Sequence, residues 1–567
     1  MRQSKKLLSA ALVCGILAGA SCYAPAAVWA ADTQKPSAAA VKTGTEAQKT
    51  YDLTFHPEKG IRESKTYQNQ QVDYYAYRNI VYVSKPKNVE YESMNLFVPA
   101  AYLEGKSVNG YTAQTAPIFL PNKVGGYMPG TADEPQEKDR MSGGPNAALV
   151  ALSKGYVVAA PAIRGRTTQG ADGAYVGKAP ALIVDYKAAV RYLRHNQLRL
   201  PAGNTERIIS NGTSAGGALS ALLGATGNSK DYEAALKEIG AAEERDDIYA
   251  SSDYCPITNL SHADMAYEWV FNGVNFYHQN KMPGGLPGMP GAQGMPQGAP
   301  KAAAASQKGA AAGRPENAPQ ETQSVQVMSK LEQETSDDLK KLFPAYVNSL
   351  GLKDPSGRLL TLDKKGQGSF ADYIKSVYLA SAQTALAAGQ DLSGLDWLTI
   401  QNGKAVAMDL GKYAVYATRL KAAPAFDKLD GTSGENDEFG TSSNVPRHFT
   451  EYSLKHRTDK NGLAPAEDIK LLSPLAYIGK RGVTVAPHWR IRHGSVDRDT
   501  AIAIPAILAL KLQNTGADVN FAAVWGKGHA GDYDLDQLFA WMDSICHEGF
   551  AGRWRIKSEM REGAVKK

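Results

Sequence analysis

Ile208-Ile209-Ser210-Asn211-Gly212-Thr213-Ser214-Ala215-Gly216-Gly217-Ala218-Leu219 holds the pattern G-x-S-x-G around Ser214. In a chain with 54 glycines the pattern alone says little, and its surroundings decide. The serine follows a β-branched run, Ile208-Ile209, and opens an apolar helical stretch, Ala218 to Leu223, so the spacing predicts strand, sharp turn and helix. A serine on such a turn takes a strained backbone, and the residues two before and two after it must lack side chains to avoid collision. Gly212 and Gly216 fill both places. Ser214 therefore reads as a nucleophile; the alternative is a glycine-rich helix start that merely packs closely. A near match, Gly431-Thr432-Ser433-Gly434-Glu435, lies in no strand-to-helix setting.

Working outward, Ala116 to Leu120 and Gly155 to Ala160 read as buried strands, Ala181 to His195 as a helix, and Arg207 to Ser210 as the next strand. Strand, helix, strand in this rhythm implies a parallel sheet with right-handed crossovers. The rhythm stops after Leu260. Residues 281–325 are Gly, Pro, Ala, Met and Gln without a packing face, and are expected to be disordered. Ser329 to Leu350 and Phe370 to Ala388 carry helical patterns with no strand between them. The α/β rhythm resumes at Ala486 to His493 and Asp518 to Trp525, and a last helix is expected over Asp534 to Cys546. The division is a core in two parts, 51–258 and 471–567, around a mainly helical lid insertion, 259–470, too long for an ordinary loop.

Residues 1–30 have the layout of an export signal: Arg2, Lys5 and Lys6, then an apolar run from Leu7 to Ala20, then Val28-Trp29-Ala30 with cleavage expected near Ala30. Residues 31–50 read as a flexible leader. A secreted, surface or periplasmic protein with no membrane span in the mature chain is expected. Cys22 lacks the Leu three positions upstream that a lipid-anchored cysteine usually has. Removing the three basic residues takes the net charge from +6 to +3, too little to imply nucleic acid. Of four cysteines only Cys255 and Cys546 lie beyond the signal. They allow one disulfide but no cysteine framework or zinc spacing, and no metal or cofactor is implied.

A serine hydroxyl needs a base, and the base an orienting carboxylate, following the serine in the order acid, then histidine. Of ten histidines, His529 stands just after a late buried strand, in the glycine-rich Gly526-Lys527-Gly528-His529-Ala530-Gly531. His493 lies inside the preceding strand and His547 after the last helix. The acid is expected in Asp497-Arg498-Asp499, whose two carboxylates at spacing two can share one side of an extended segment. One would orient His529 and the other would be left for substrate. The oxyanion donors are expected to be the N–H of Ala215 and one from Pro121-Asn122-Lys123-Val124-Gly125-Gly126-Tyr127, assigned to Gly126.

With these residues placed, the chain resembles the bacterial tannases, tannin acyl hydrolases of the α/β-hydrolase fold. The resemblance is densest in Gly177 to Ala181, Asn211 to Gly224, Ser252 to Trp269, Lys421 to Asp427, Glu435 to Gly440 and Arg492 to Asp499. It implies a mostly parallel sheet with helices on both faces and a triad of Ser214, Asp497 and His529. It further implies that Lys421, Glu435 and Asp499 bind the galloyl ring hydroxyls. Two carboxylates and one ammonium suit a trihydroxyphenyl ring, whose neighbouring hydroxyls both donate and accept. Without the resemblance, Lys421 and Glu435 read as a surface ion pair.

Fungal tannases and related feruloyl esterases carry cysteines beside the nucleophile and the histidine, where this chain has Thr213 and Ala530. The expected activity is hydrolysis of galloyl esters through an acyl-enzyme. The rivals are a feruloyl or chlorogenate esterase, and a polyphenol-binding surface protein without catalysis.

Overall fold

A computed structural model describes residues 50–139, 143–280 and 323–547. The expected signal and nearly all of the leader lie outside the described residues, as does the tract 281–322. Thirteen strands form: β1 (Ile61–Tyr67), β2 (Gln70–Val81), β3 (Ser93–Pro99), β4 (Pro117–Pro121), β5 (Val157–Pro161), β6 (Asn204–Thr213), β7 (Ala250–Tyr254), β8 (Phe276–Asn280), β9 (Gln323–Val327), β10 (Leu398–Gln401), β11 (Lys404–Met408), β12 (His488–Gly494) and β13 (Asp518–Val524). Nine make one sheet in the order β1-β2-β3-β5-β4-β6-β7-β12-β13. The joins from β1 through β3 to β5 are antiparallel and all the rest are parallel.

The central strands β3, β4, β5 and β7 are buried along their whole length, as continuous apolar runs covered on both faces must be. Their covers include α1 (Ala181–His195), α2 (Ala215–Ala225) and, after the insertion, α7 (Ala503–Asn514). The serine strand is longer than its β-branched run suggested, ten residues rather than four, because Asn211, Gly212 and Thr213 also pair with β7 and Asn204 pairs with β4. The strand expected from Ala486 begins at His488, since Pro487 has no N–H for a ladder. The last helix spans 535–547, one residue later than expected at its start.

Between β7 and β12 lie the helices α3 (Leu260–Phe271), α4 (Lys330–Ser349), α5 (Ser369–Ala387) and the short α6 (Gly434–Glu438), with two small hairpins, β8–β9 and β10–β11. Residues 323–325, at the end of the tract expected to be disordered, belong to strand β9 instead. α4 starts at a capping box in which Ser329 and Glu332 satisfy each other's backbone N–H groups. α4 packs along α3, and α5 against β11 and β13, so the insertion shares the core's apolar cluster. Among the described residues no helix is long and apolar enough to cross a membrane.

Candidate active site

Ser214 sits between β6 and α2 with φ 62° and ψ −124°, a backbone conformation that costs a non-glycine residue about 1–3 kcal/mol. The neighbours over-determine it. Its N–H donates to Tyr254 O at 2.9 Å at the end of β7, and its carbonyl accepts from Ala218 N at 2.9 Å in the first turn of α2. The two glycines are required by close approach: a Cβ on Gly216 would lie 2.5 Å from Asn122 Oδ1 and 2.6 Å from Val124 O, and one on Gly212 would run into the Gly216 carbonyl. Ser433, in the near match, instead caps α6 together with Asn436.

His529 and Asp497 come from the loops after β13 and β12, neighbouring parallel strands. The loops are joined by Val496 N to Lys527 O (3.0 Å) and Gly526 N to Ser495 Oγ (2.8 Å). His529 Nδ1 lies 2.8 Å from Asp497 Oδ2. The segment 495–500 is a turn rather than the extended run expected: Asp497 Oδ1 accepts the N–H groups of Asp499 (2.9 Å) and Thr500 (3.1 Å), closing the chain around its own carboxylate. The two acids still serve one imidazole, because Asp499 Oδ2 lies 3.5 Å from His529 Nε2.

Burial works against a charge on His529, but the Asp497 carboxylate, its hydrogen bond, the nearby Cys255 thiol and Asp499 hold the imidazole well above its ordinary 6.5. Asp497 is held well below the usual carboxylate range, burial being outweighed by His529 and His493. The histidine loop meets the strand that leads to the serine: a Cβ on Gly531 would collide with the Thr213 side chain, and Asn211 Nδ2 donates to Asp532 at 3.0 Å. Thr213 thus ties the loops by contact. Cys255 and Cys546 are both free and buried, so the single disulfide that the sequence allowed is not formed.

The loop after β4 packs on the nucleophile turn through Asn122. Its buried amide donates to Asn211 O (3.1 Å), Gly216 O (3.0 Å) and Ser220 Oγ (3.2 Å), while its oxygen accepts Val124 N (3.3 Å). Gly125 and Gly126 border open space, where a Cβ would meet nothing within 4 Å. Gly126 also turns its carbonyl to Arg166 Nε at 3.0 Å, and Arg166 Nη1 reaches Asp437 of α6 at 2.6 Å. Arg166 therefore bridges the proposed oxyanion loop and the insertion.

Lys421 pairs with Asp499, Nζ to Oδ2 at 3.2 Å, and lies 4.3 Å from the centroid of Phe426. This replaces the Lys421–Glu435 surface pair that the residues alone suggested. Burial opposes the ammonium, but Asp499 and Glu435 together raise its pKa. Burial raises Glu435, with Lys421 opposing. The structure thus brings all three expected ring-binding residues into electrostatic range of one another, and one of them to His529.

Helix α3 holds this group in place. Tyr267 Oη donates to Arg498 O at 2.6 Å and accepts Leu420 N at 3.2 Å, while the Asp264 carboxylate accepts Phe426 N (2.7 Å) and Asp427 N (3.0 Å). Glu268 forms a buried two-pronged pair with Arg419, at 2.9 and 2.5 Å. Asp427 in turn joins the Lys421 segment to α6, accepting from Asn436 Nδ2 (2.7 Å), Phe449 N (2.9 Å) and Thr450 N (2.8 Å), with His448 Nδ1 at 2.8 Å. None of Asn122, Arg166, Asp264, Tyr267 or Glu268 was singled out from the sequence. Only the last three left a signal there, as polar residues at i, i+3 and i+4 on one helical face.

A serine raised on a strand-to-helix turn, with a paired histidine and acid on the loops after the last two strands of a mostly parallel sheet, fits a serine carboxylic-ester hydrolase of the α/β-hydrolase fold. The BD-FAE family model matches residues 125–282. No curated protein matches the chain significantly. Among solved structures, the tannin acyl hydrolase of Lactobacillus plantarum is 44% identical, with TM-score 0.77, covering 87% of this chain and 99% of its own. The tannase of Fusobacterium nucleatum is 46% identical, with TM-score 0.78, covering 88% and 100%. A tannin acyl hydrolase solved in complex with ethyl gallate is 44% identical at TM-score 0.77, with coverage of 87% and 99%. With this likeness along nearly the whole length of the solved enzymes, the chain belongs to the bacterial tannases.

Proposed function

We propose that the protein hydrolyses galloyl esters of tannins and simple alcohols through an acyl-enzyme, releasing gallic acid. Ser214 Oγ attacks the ester carbonyl carbon and passes its proton to His529 Nε2, which Asp497 orients from the other side of the ring. The tetrahedral oxyanion lies between the N–H groups of Ala215 and Gly126. Its collapse breaks the ester C–O bond, and the departing alcohol takes the proton from His529. A water activated by the same imidazole then cleaves the acyl-enzyme. Lys421, Glu435 and Asp499 receive the ring hydroxyls.

The observation that carries this reading is the chain of close contacts from Lys421 through Asp499 to His529, which suits recognition of a hydroxylated ring next to an ester held at His529. The solved tannin acyl hydrolase complex with ethyl gallate supports the same substrate class. The layout of residues 1–30 supports export across a membrane before folding.

The test is a comparison of methyl gallate with methyl ferulate. A ferulate ring offers one hydroxyl and a methoxy group, leaving buried charged groups unpaired, and sites built to bind a hydroxyl reject analogues lacking it by roughly 10⁴. Methyl gallate should exceed methyl ferulate in kcat/KM by at least about a thousandfold. Near-equal rates would reject the galloyl reading and favour a feruloyl-type esterase.

A further inference from the structure

Beside Asp497 stand two buried residues, Cys255 and His493, to which the proposed ester hydrolysis assigns no step. The sulfur of Cys255, a nitrogen of His493 and a carboxylate oxygen of Asp497 all lie within 4.8 Å of one another, and all three residues are buried. Both ring nitrogens of His493 lack a hydrogen-bond partner among the described residues, although its Nδ1 is 3.7 Å from Asp497 Oδ2. A fully buried imidazole with neither nitrogen satisfied costs about 1–3 kcal/mol per group. Cys255 is held at φ +44°, its N–H donating to Arg492 O at 2.7 Å and its thiol to Ala530 O at 3.5 Å, a weak bond that ligation of the thiolate would give up.

We propose that Cys255, His493 and Asp497 form an inhibitory site for a thiophilic divalent cation of the zinc or cadmium type. One thiolate, one imidazole and one carboxylate are the ligand types such ions select, with water completing a tetrahedron, whereas magnesium and calcium prefer oxygen alone. Ligation requires the three donor atoms to draw to roughly 3.5 Å apart, a side-chain adjustment, and sends the Cys255 thiol proton to solvent. Asp497 Oδ2 is also the oxygen 2.8 Å from His529 Nδ1. An ion on that carboxylate takes away the acceptor that orients the imidazole, so the bound ion inhibits. Binding stands on these residues alone; inhibition rests on the proposed role of Asp497.

The full chain should be titrated with Cd²⁺ in the absence of substrate, following the thiolate-to-cadmium absorption in the ultraviolet. One ion per chain should produce the band. Cys255→Ser should abolish it, Cys546→Ser should keep it, and His493→Gln should weaken binding by at least about tenfold. In esterase assays, each protein measured against its own metal-free rate, Cd²⁺ and Zn²⁺ should inhibit reversibly with EDTA. Cys255→Ser and His493→Gln should resist by at least about tenfold, and Mg²⁺ should have no effect. No band in the parent protein, or a band that survives Cys255→Ser and disappears in Cys546→Ser, overturns the proposal. So does a His493→Gln variant with unaltered affinity. Because the band is read without substrate, it judges the site even if gallate proves not to be hydrolysed.

Discussion

Asp499 Oδ2 lies 3.5 Å from His529 Nε2, the nitrogen that takes the serine proton in the proposed mechanism. In the ligand-free enzyme this carboxylate, with Asp497 across the ring, favours the imidazolium, and His529 must lose that proton before it can act as a base. The free-enzyme profile of kcat/KM should therefore rise with pH through a value above 6.5. Asp499→Asn should move that acid limb to lower pH on a simple phenyl ester while sharply reducing gallate hydrolysis. A limb that stays in place would show that Asp499 does not act on His529.

Ser214→Ala and His529→Ala should each lower kcat on methyl gallate by at least about a thousandfold with folding intact, because either change removes activation of the hydroxyl. Circular dichroism and steady-state rates on the same samples check this. Comparable turnover by folded Ser214→Ala would place the nucleophile elsewhere.

Arg166 holds the Gly126 carbonyl and Asp437 of α6 at once. Arg166→Ala should release both and lower kcat/KM for gallate by about tenfold, equal to the roughly 1.4 kcal/mol of one charge-assisted bond. Arg166→Lys, which cannot span both partners with a planar fork, should recover little. Wild-type kinetics in Arg166→Ala would mean that the loop is held by Asn122 alone.

His448 is buried with Asp427 at 2.8 Å and Asp459 at 3.0 Å, and though burial opposes its charge, hydrogen bonds to the two carboxylates raise its pKa. A folded-state pKa above the ordinary 6.5 adds stability that is full below 6.5 and lost as pH rises through the raised value. His448→Gln should thus cost about 3 kcal/mol in mildly acid buffer and less in alkaline buffer. Melting temperatures of both proteins across that range provide the test, and a gap that widens with pH contradicts the assignment.

The serine, histidine and acid were legible because each follows a strand with a strong β signal, and chain order then left few choices. The helical stretches between β7 and β12 were legible as a break in rhythm, but the β8–β9 pair was not, since Gln323 to Val327 has too little apolar alternation to stand out. Asn122 and Arg166 left no trace because they act on backbone carbonyls and on side chains far away in sequence, as with Arg166 and Asp437. The turn at Asp497 was misread as extended because spacing shows which residues can share a side, not that a carboxylate caps its own N–H groups. Asp264, Tyr267 and Glu268 could have been read as a polar face on an otherwise apolar helix.

The insertion leaves from β7 and returns to β12, and these two strands pair with each other in parallel register, Ala250 opposite His488. A parallel pair needs a crossover of only about a dozen residues. Each doubling of such an excursion costs only about 0.6 kcal/mol of closure entropy. The sheet therefore tolerates a long excursion between neighbouring strands, and that excursion brings Lys421 back to Asp499, on the same core loop that carries Asp497.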